Sequence, residues 1–247
     1  MSGETGMLPL GLALAAVFFA AVVRGYAGFG FSAFVVGSLS LAWPPAQVVP
    51  LVLMLEIAAG IHLLPSVWRD VDWRQLGWIL AGALIATPFG VELLHRLPAD
   101  TMRLVISLAI LAAALAIATG GTLRGGQGAA QVFGAGLVSG AANGAAGIGG
   151  LPLVALFLWN RTSARALRAT LAVYFIASDS YALAVAGGRG LVTGSVIEHF
   201  VWSLLPLALG VWLGNRRFAR SSGRSFRGVA IGLLMLLAGL GVVRALM

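Results

Sequence analysis

The chain has 247 residues, 60% of them hydrophobic and only 10% charged, with a mean hydropathy of +0.97; soluble proteins carry about 25% charged residues, so it lacks the polar atoms to cover a water-facing surface. All 16 basic residues are Arg and, against 8 acids, leave a net charge of +8, too dilute for the clustered basic face that nucleic acid requires. With no Cys and three scattered His, disulfides, iron–sulfur clusters and thiolate chemistry are excluded, a structural metal site is not expected, and no cofactor is called for.

The N-terminus has no basic stretch and carries Glu4, so it does not read as a signal peptide. A helix crosses about 30 Å of hydrocarbon with roughly 20 apolar residues. Reading between the charges predicts segments at about 8–23, 27–43, 46–66, 75–95, 102–120, 127–142, 147–160, 166–187, 199–215 and 227–246. Two uncharged runs, Gly25–Leu55 with 31 residues and Gly125–Asn160 with 36, are too long for one crossing and must turn back. Glycine marks both turns. The first reads Arg24-Gly25-Tyr26-Ala27-Gly28-Phe29-Gly30-Phe31, the second Asn143-Gly144-Ala145-Ala146-Gly147-Ile148-Gly149-Gly150.

These turns expose an internal repeat. Gly25, Gly28 and Gly30 match Gly144, Gly147 and Gly149 at an offset of 119, while Gly90 and Arg103 match Gly214 and Arg227 at 124. The expectation is an all-α integral membrane protein of two repeats, 1–121 and 122–247, each of about five segments and opened by a Gly-rich hairpin. Segments 8–23 and 127–142 have 16 residues each, about 24 Å of helix, so the hairpins either span fully or are re-entrant or broken. Either way the number of crossings per half is odd and the halves are inverted, as in many transporters. Eleven Arg fall on one side and four on the other. By the positive-inside rule the first side is cytoplasmic and both termini are external, in a multi-pass protein of the cell (inner) membrane. The seven Trp lie mostly near predicted span ends and read as an aromatic belt.

Irregular backbone at membrane depth is tolerated only when it is buried in protein or lines a watery cavity. A turn between two short helices leaves free N–H groups and a positive dipole end at the second helix, a geometry that binds anions. Two inverted copies aim two such N-termini at one point, so Gly25, Gly28, Gly30, Gly144, Gly147 and Gly149 are candidate substrate-binding residues. The spacing of Gly136, Gly140 and Gly144 is also a helix-packing pattern. Arg24 is flanked by 19 uncharged residues before and 31 after. At the bilayer centre an Arg costs about 2.5–3.5 kcal/mol and so needs a partner or a task, here the anion; in a fully spanning hairpin it is a cytoplasmic loop residue instead. Asn143, its counterpart in the second turn, suits an oxyanion, or alternatively caps a helix.

Glu56 and Asp179 lie mid-segment in corresponding segments of the two halves. Intramembrane acids mark proton relays, so the pair is a candidate for proton coupling; the alternatives are a buried pair with Arg24 or Arg168, or an acid facing water without coupling. His62 does not share the face of Glu56, and Arg165 and Arg168 open segment eight from the cytoplasmic side. There is no Gly-x-Ser-x-Gly, no His-Glu-x-x-His and no nucleotide-binding Gly-x-x-x-x-Gly-Lys loop, so neither an enzyme nor an ATP-driven pump is expected.

The repeated turns, the stretch Arg69-Asp70-Val71-Asp72-Trp73-Arg74 before a Gly-rich span, Gly82 through Gly90, and the closing Phe226-Arg227 followed by Gly239-Leu240 resemble the TauE/SafE, or sulfite exporter, family of membrane permeases. The resemblance implies secondary transport of small anions, with sulfite and organosulfonates as examples. Its partners are then the small anionic substrate and the lipid bilayer. A passive anion channel on the same scaffold is the alternative.

Overall fold

The computed structural model describes residues 4–118, 128–160 and 162–220. The predicted segment 227–246 and the connection between the halves lie outside the described residues. Every regular element among those described is helical: α1 (Glu4–Ala27), α2 (Phe31–Leu39), α3 (Pro45–Val67) with a 3-10 turn at Trp68–Asp70, α4 (Trp73–Arg96), α5 (Ala99–Ala118), α6 (Ala129–Ala146), α7 (Gly150–Trp159), α8 (Ala164–Gly188) and α9 (Gly194–Arg220). Six of these, α1, α3, α4, α5, α8 and α9, are long and apolar enough to cross a membrane. Large apolar side chains such as Leu12, Phe89 and Leu205 point outward, as a hydrocarbon-facing surface demands.

Local chemistry sets the helix ends. Pro45 opens α3 at a position where its missing N–H is not needed. The Asp72 side chain caps α4 by accepting from the Gln75 N–H at 3.0 Å, and Ser163 caps α8 by accepting from the Ala166 N–H at 3.2 Å. Gly147, at φ +66°, closes α6, and its N–H donates to the Asn143 carbonyl at 2.7 Å. Two boundaries differ from expectation for one reason. The charge at Arg24 suggests a break after residue 23, yet α1 continues to Ala27 over 24 residues, about 36 Å. The guanidinium is buried and paired within the protein, so the helix carries it. Likewise α6 runs past residue 142 and brings Asn143 into its last turn.

α1 packs along α9, α4 along α6, and α3 against α8 between them. The α1–α9 and α4–α6 contacts are the most extensive of these. Glycine makes both contacts backbone-close. A Cβ on Gly144 would strike the Thr87 carbonyl, and one on Gly90 the Ala141 carbonyl; Gly25 meets the Val211 carbonyl and Gly214 the Val22 carbonyl in the same way. Gly136 and Gly140 rest on Ile79 and Ala83, so the small-residue ridge is a packing face, and α6 runs parallel to α4. The ends of the short helices are tied to opposite ends of α5. Arg103 Nε donates to the Ser40 carbonyl just beyond α2 at 2.6 Å, while the Trp159 indole N–H at the end of α7 donates to the Ala116 carbonyl at 3.2 Å.

Candidate functional site

Where α3 crosses α8, both glycine turns converge on a polar cluster. The last turn of α1 delivers Arg24, and the middle of α3 delivers Glu56. Arg24 Nη1 meets a Glu56 carboxylate oxygen at 2.8 Å, with both side chains 0% exposed. Arg24 Nη1 also donates to the Gly28 carbonyl at 3.3 Å. The chain then turns through Gly28 at φ +81° and Gly30 at φ +90°, a left-handed backbone that glycine adopts without strain. This turn sets the N-terminus of α2 against the same carboxylate, which faces the hydroxyl and N–H of Ser32. The first-turn N–H groups of a helix have no intrahelical acceptor, so an anion is favoured there. In this structure the anion is the Glu56 side chain.

The second turn repeats the arrangement with neutral groups. Asn143, in the last turn of α6, donates from Nδ2 to an Asp179 carboxylate oxygen at 2.7 Å and to Ser178 Oγ at 3.0 Å. Its carbonyl oxygen accepts from the Gly149 N–H at 3.4 Å, so one side chain ties α6, the start of α7 and α8. Ser139, one helical turn before Asn143, donates to the Gly149 carbonyl and lies 2.6 Å from the Tyr174 hydroxyl. Glu56 is near enough for its charge to act on Asp179.

Phe175 sits between the two turns. Its ring lies 4.4 Å from the Arg24 guanidinium carbon, in the range of a cation–π contact, and its far edge abuts Gly150 so closely that a Cβ there could not fit. Arg168 supports the first turn from below. Its side chain lies against Gly28, where a Cβ would collide with it, and Nη2 donates to the Gly25 carbonyl at 2.8 Å and to Asn215 at 3.1 Å.

The cluster is closed to solvent. Arg24, Glu56, Ser139, Asn143, Ser178 and Asp179 are all fully buried. Buried polar groups are nearly always paired, yet, apart from the Arg24–Glu56 ion pair, Arg24 Nε and Nη2, both Glu56 carboxylate oxygens and Asp179 Oδ2 have no hydrogen-bond partner. Cationic donor capacity is therefore held in reserve beside a helix N-terminus.

Residues 13–240 match the family described as sulfite exporter TauE/SafE. The chain belongs to this family. It is also 28% identical over 204 residues, spanning 79% of this chain and 82% of the relative, to the "Probable inner membrane transporter protein TsaS" of Comamonas testosteroni. No solved structure matches it. With six apolar helices of spanning length among the described residues, this TauE/SafE chain is a multi-pass membrane transporter.

Of the residues singled out by sequence in this TauE/SafE chain, Arg24, Glu56, Asn143 and Asp179 come together with Gly28, Gly30, Gly147 and Gly149 in the turns around them. Gly25 and Gly144 instead face helix backbones, of α9 and α4. His62 and Arg165 are exposed, and His199 stacks on Trp43 at 4.4 Å. Ser32, Ser139, Tyr174, Phe175 and Ser178 escape a search guided by charge and glycine. Helical spacing is the signal that finds three of them: Ser139 stands four residues before Asn143, and Tyr174 four before Ser178, each pair sharing a face.

Proposed function

We propose that this TauE/SafE protein is a secondary transporter that exports a small anion, sulfite or an organosulfonate-type anion, across the inner membrane. The observation that carries this reading is the fully buried Arg24 guanidinium with Nε and Nη2 unpaired at the N-terminus of α2. A tetrahedral or pyramidal oxyanion accepts several donors at once, and here they are the guanidinium, the Ser32 hydroxyl and the first-turn amides of α2, with Asn143 and the start of α7 facing from the other half. Gly28, Gly30, Gly147 and Gly149 let the backbone approach the anion. Glu56 and Asp179 are the protonatable pair for coupling. Inner-membrane placement rests on the relative named above.

The halves 1–121 and 122–247 are inverted repeats in this reading. Its support is the exchange of first and fourth helices between the halves, and the attachment of α2 and α7 to opposite ends of α5. Each hairpin is then re-entrant, from opposite faces, with both termini external. The closed, fully buried cluster favours a carrier that alternates its access over a passive channel, which needs a continuous water path.

The test is flux of labelled sulfite and of an alkanesulfonate in proteoliposomes. Wild type moves the anion, and Arg24→Gln, checked for monodispersity and helicity, does not. Unchanged flux in a folded Arg24→Gln protein overturns the site.

A further inference from the structure

We propose that the Glu56 carboxylate is the built-in competitor of the transported anion: it occupies the anion's place on Arg24 when the carrier is empty, and yields it only on taking up a proton. This rests on the anion-transport reading above and goes beyond it by fixing the coupling ion, the stoichiometry and the electrical character of the cycle. The geometry points to it. Anion-binding features of the first turn, the guanidinium and the start of α2, are directed at a carboxylate of the protein itself. An incoming oxyanion that reaches the free Arg24 Nε and Nη2 still needs the Ser32 hydroxyl and N–H that Glu56 faces and the charge of the one guanidinium, so the two compete for the site.

The charges decide the rest. Around Glu56 the charged or titratable groups described are Arg24 from α1 and Asp179 from α8. Arg168 of α8 acts on Arg24 from beyond the turn, and Tyr174 of α8 acts on Asp179; α2 contributes only the uncharged Ser32. The Arg24–Glu56 ion pair is neutral when the site is empty. Loading it balances as follows. A proton joins the Glu56 carboxylate, its ion pair with Arg24 opens, and the monovalent anion closes a new pair with the same guanidinium. One positive and one negative charge have entered together, so the net charge of the site is unchanged. An ionised Glu56 beside a bound anion, or Arg24 facing neither, leaves an uncompensated charge at membrane depth, which is strongly disfavoured. Only the two neutral forms reorient. Proton and anion therefore move together, one for one, the cycle carries no net charge, and export runs on the outward gradient of the anion itself.

The experiment uses an alkanesulfonate such as ethanesulfonate, which has no titratable proton near neutral pH, with the purified full chain in proteoliposomes. Expected for wild type is net flux that follows a pH gradient, one proton per sulfonate, and is unchanged when potassium and valinomycin impose a membrane potential. Expected for Glu56→Gln is a split between two fluxes: net flux falls about a hundredfold because the empty carrier cannot return with Arg24 unpaired, while exchange of labelled for unlabelled sulfonate falls far less. Glu56→Asp, which keeps a carboxylate, restores net flux in part. Wild-type transport that generates current overturns the exchange whether or not Glu56→Gln folds. So do equal losses of exchange and net flux in a folded Glu56→Gln, and so does a pH response unaffected by it. In each of these the anion carrier itself survives. Absence of sulfite and sulfonate flux in wild type, by contrast, overturns the transport reading and the exchange with it.

Discussion

The Arg24 guanidinium meets the Glu56 carboxylate at 2.8 Å with neither side chain exposed. Removing one member of a buried pair strands the other, at about 3–5 kcal/mol, whereas replacing both by uncharged groups of similar volume is often neutral or stabilising. Arg24→Met and Glu56→Gln are each expected to lower the melting temperature in detergent, and the double variant to recover most of that loss while remaining unable to transport. Thermal unfolding of the four proteins of this cycle isolates the pair. Additive losses in the double variant mean that the pair is not an energetic unit.

Asn143 holds three groups of the second turn: Asp179, Ser178 and the Gly149 amide. Asn143→Ala leaves a buried carboxylate without its donor, at about 1–3 kcal/mol for the unsatisfied group. It also unties the start of α7 from α8. The expected result is a lower melting temperature together with a loss of flux of more than about tenfold. Flux at the wild-type rate with unchanged substrate affinity removes Asn143 from the site.

Glycines that look alike in sequence separate by what faces them. A Cβ on Gly25 strikes the Val211 carbonyl, and backbone cannot yield, so Gly25→Ala pries α1 from α9 at about 1–3 kcal/mol. Its folded fraction should bind substrate with an unchanged KM. Gly30 has room, with Val23 Cγ1 at 3.7 Å, but its φ is +90°, so Gly30→Ala adds about 1–2 kcal/mol of backbone strain where α2 begins. That variant should raise KM by re-aiming the first-turn amides. Melting curves and flux kinetics on both variants distinguish the two effects, and a KM change confined to Gly25→Ala reverses the assignment.

What the sequence could convey follows the same division. The spans were legible because apolar length is a direct demand of the bilayer, and the two turns because uncharged runs of 31 and 36 residues cannot cross once. That Glu56 and Asp179 lie within apolar helices, α3 and α8, was legible as well. The end of α1 was not, since a charge reads as a helix boundary until its partner is known, and that partner, Glu56, is 32 positions away. Nor could glycine content separate Gly25 and Gly144, which pack against helices, from Gly28 and Gly30, which turn the chain. That distinction is a matter of which backbone lies opposite. Phe175 gave no signal because one more aromatic in an apolar helix is indistinguishable from core until the two turns are seen on either side of it.

The absence of native Cys makes topology directly measurable by single-Cys variants and a membrane-impermeant maleimide in intact cells. The proposed orientation puts the Trp68–Trp73 end, with Arg69 and Arg74, in the cytoplasm, and His95 and Arg96 outside. Arg96→Cys should therefore label in intact cells and Arg69→Cys only after permeabilisation. Ala42 and Ser163, both exposed, follow α2 and α7 and report on the hairpins. A re-entrant α1–α2 pair returns Ala42 to the external face from which α1 enters, and an α6–α7 pair entering from the cytoplasm returns Ser163 there. A helix merely interrupted at Gly28–Gly30 but crossing once would deliver Ala42 to the cytoplasm. Labelling of Ala42→Cys from outside, with Ser163→Cys protected until permeabilisation, is the expected pattern. The reverse at either position means that its hairpin does not turn back, and the two helix N-termini then no longer approach one anion from opposite faces.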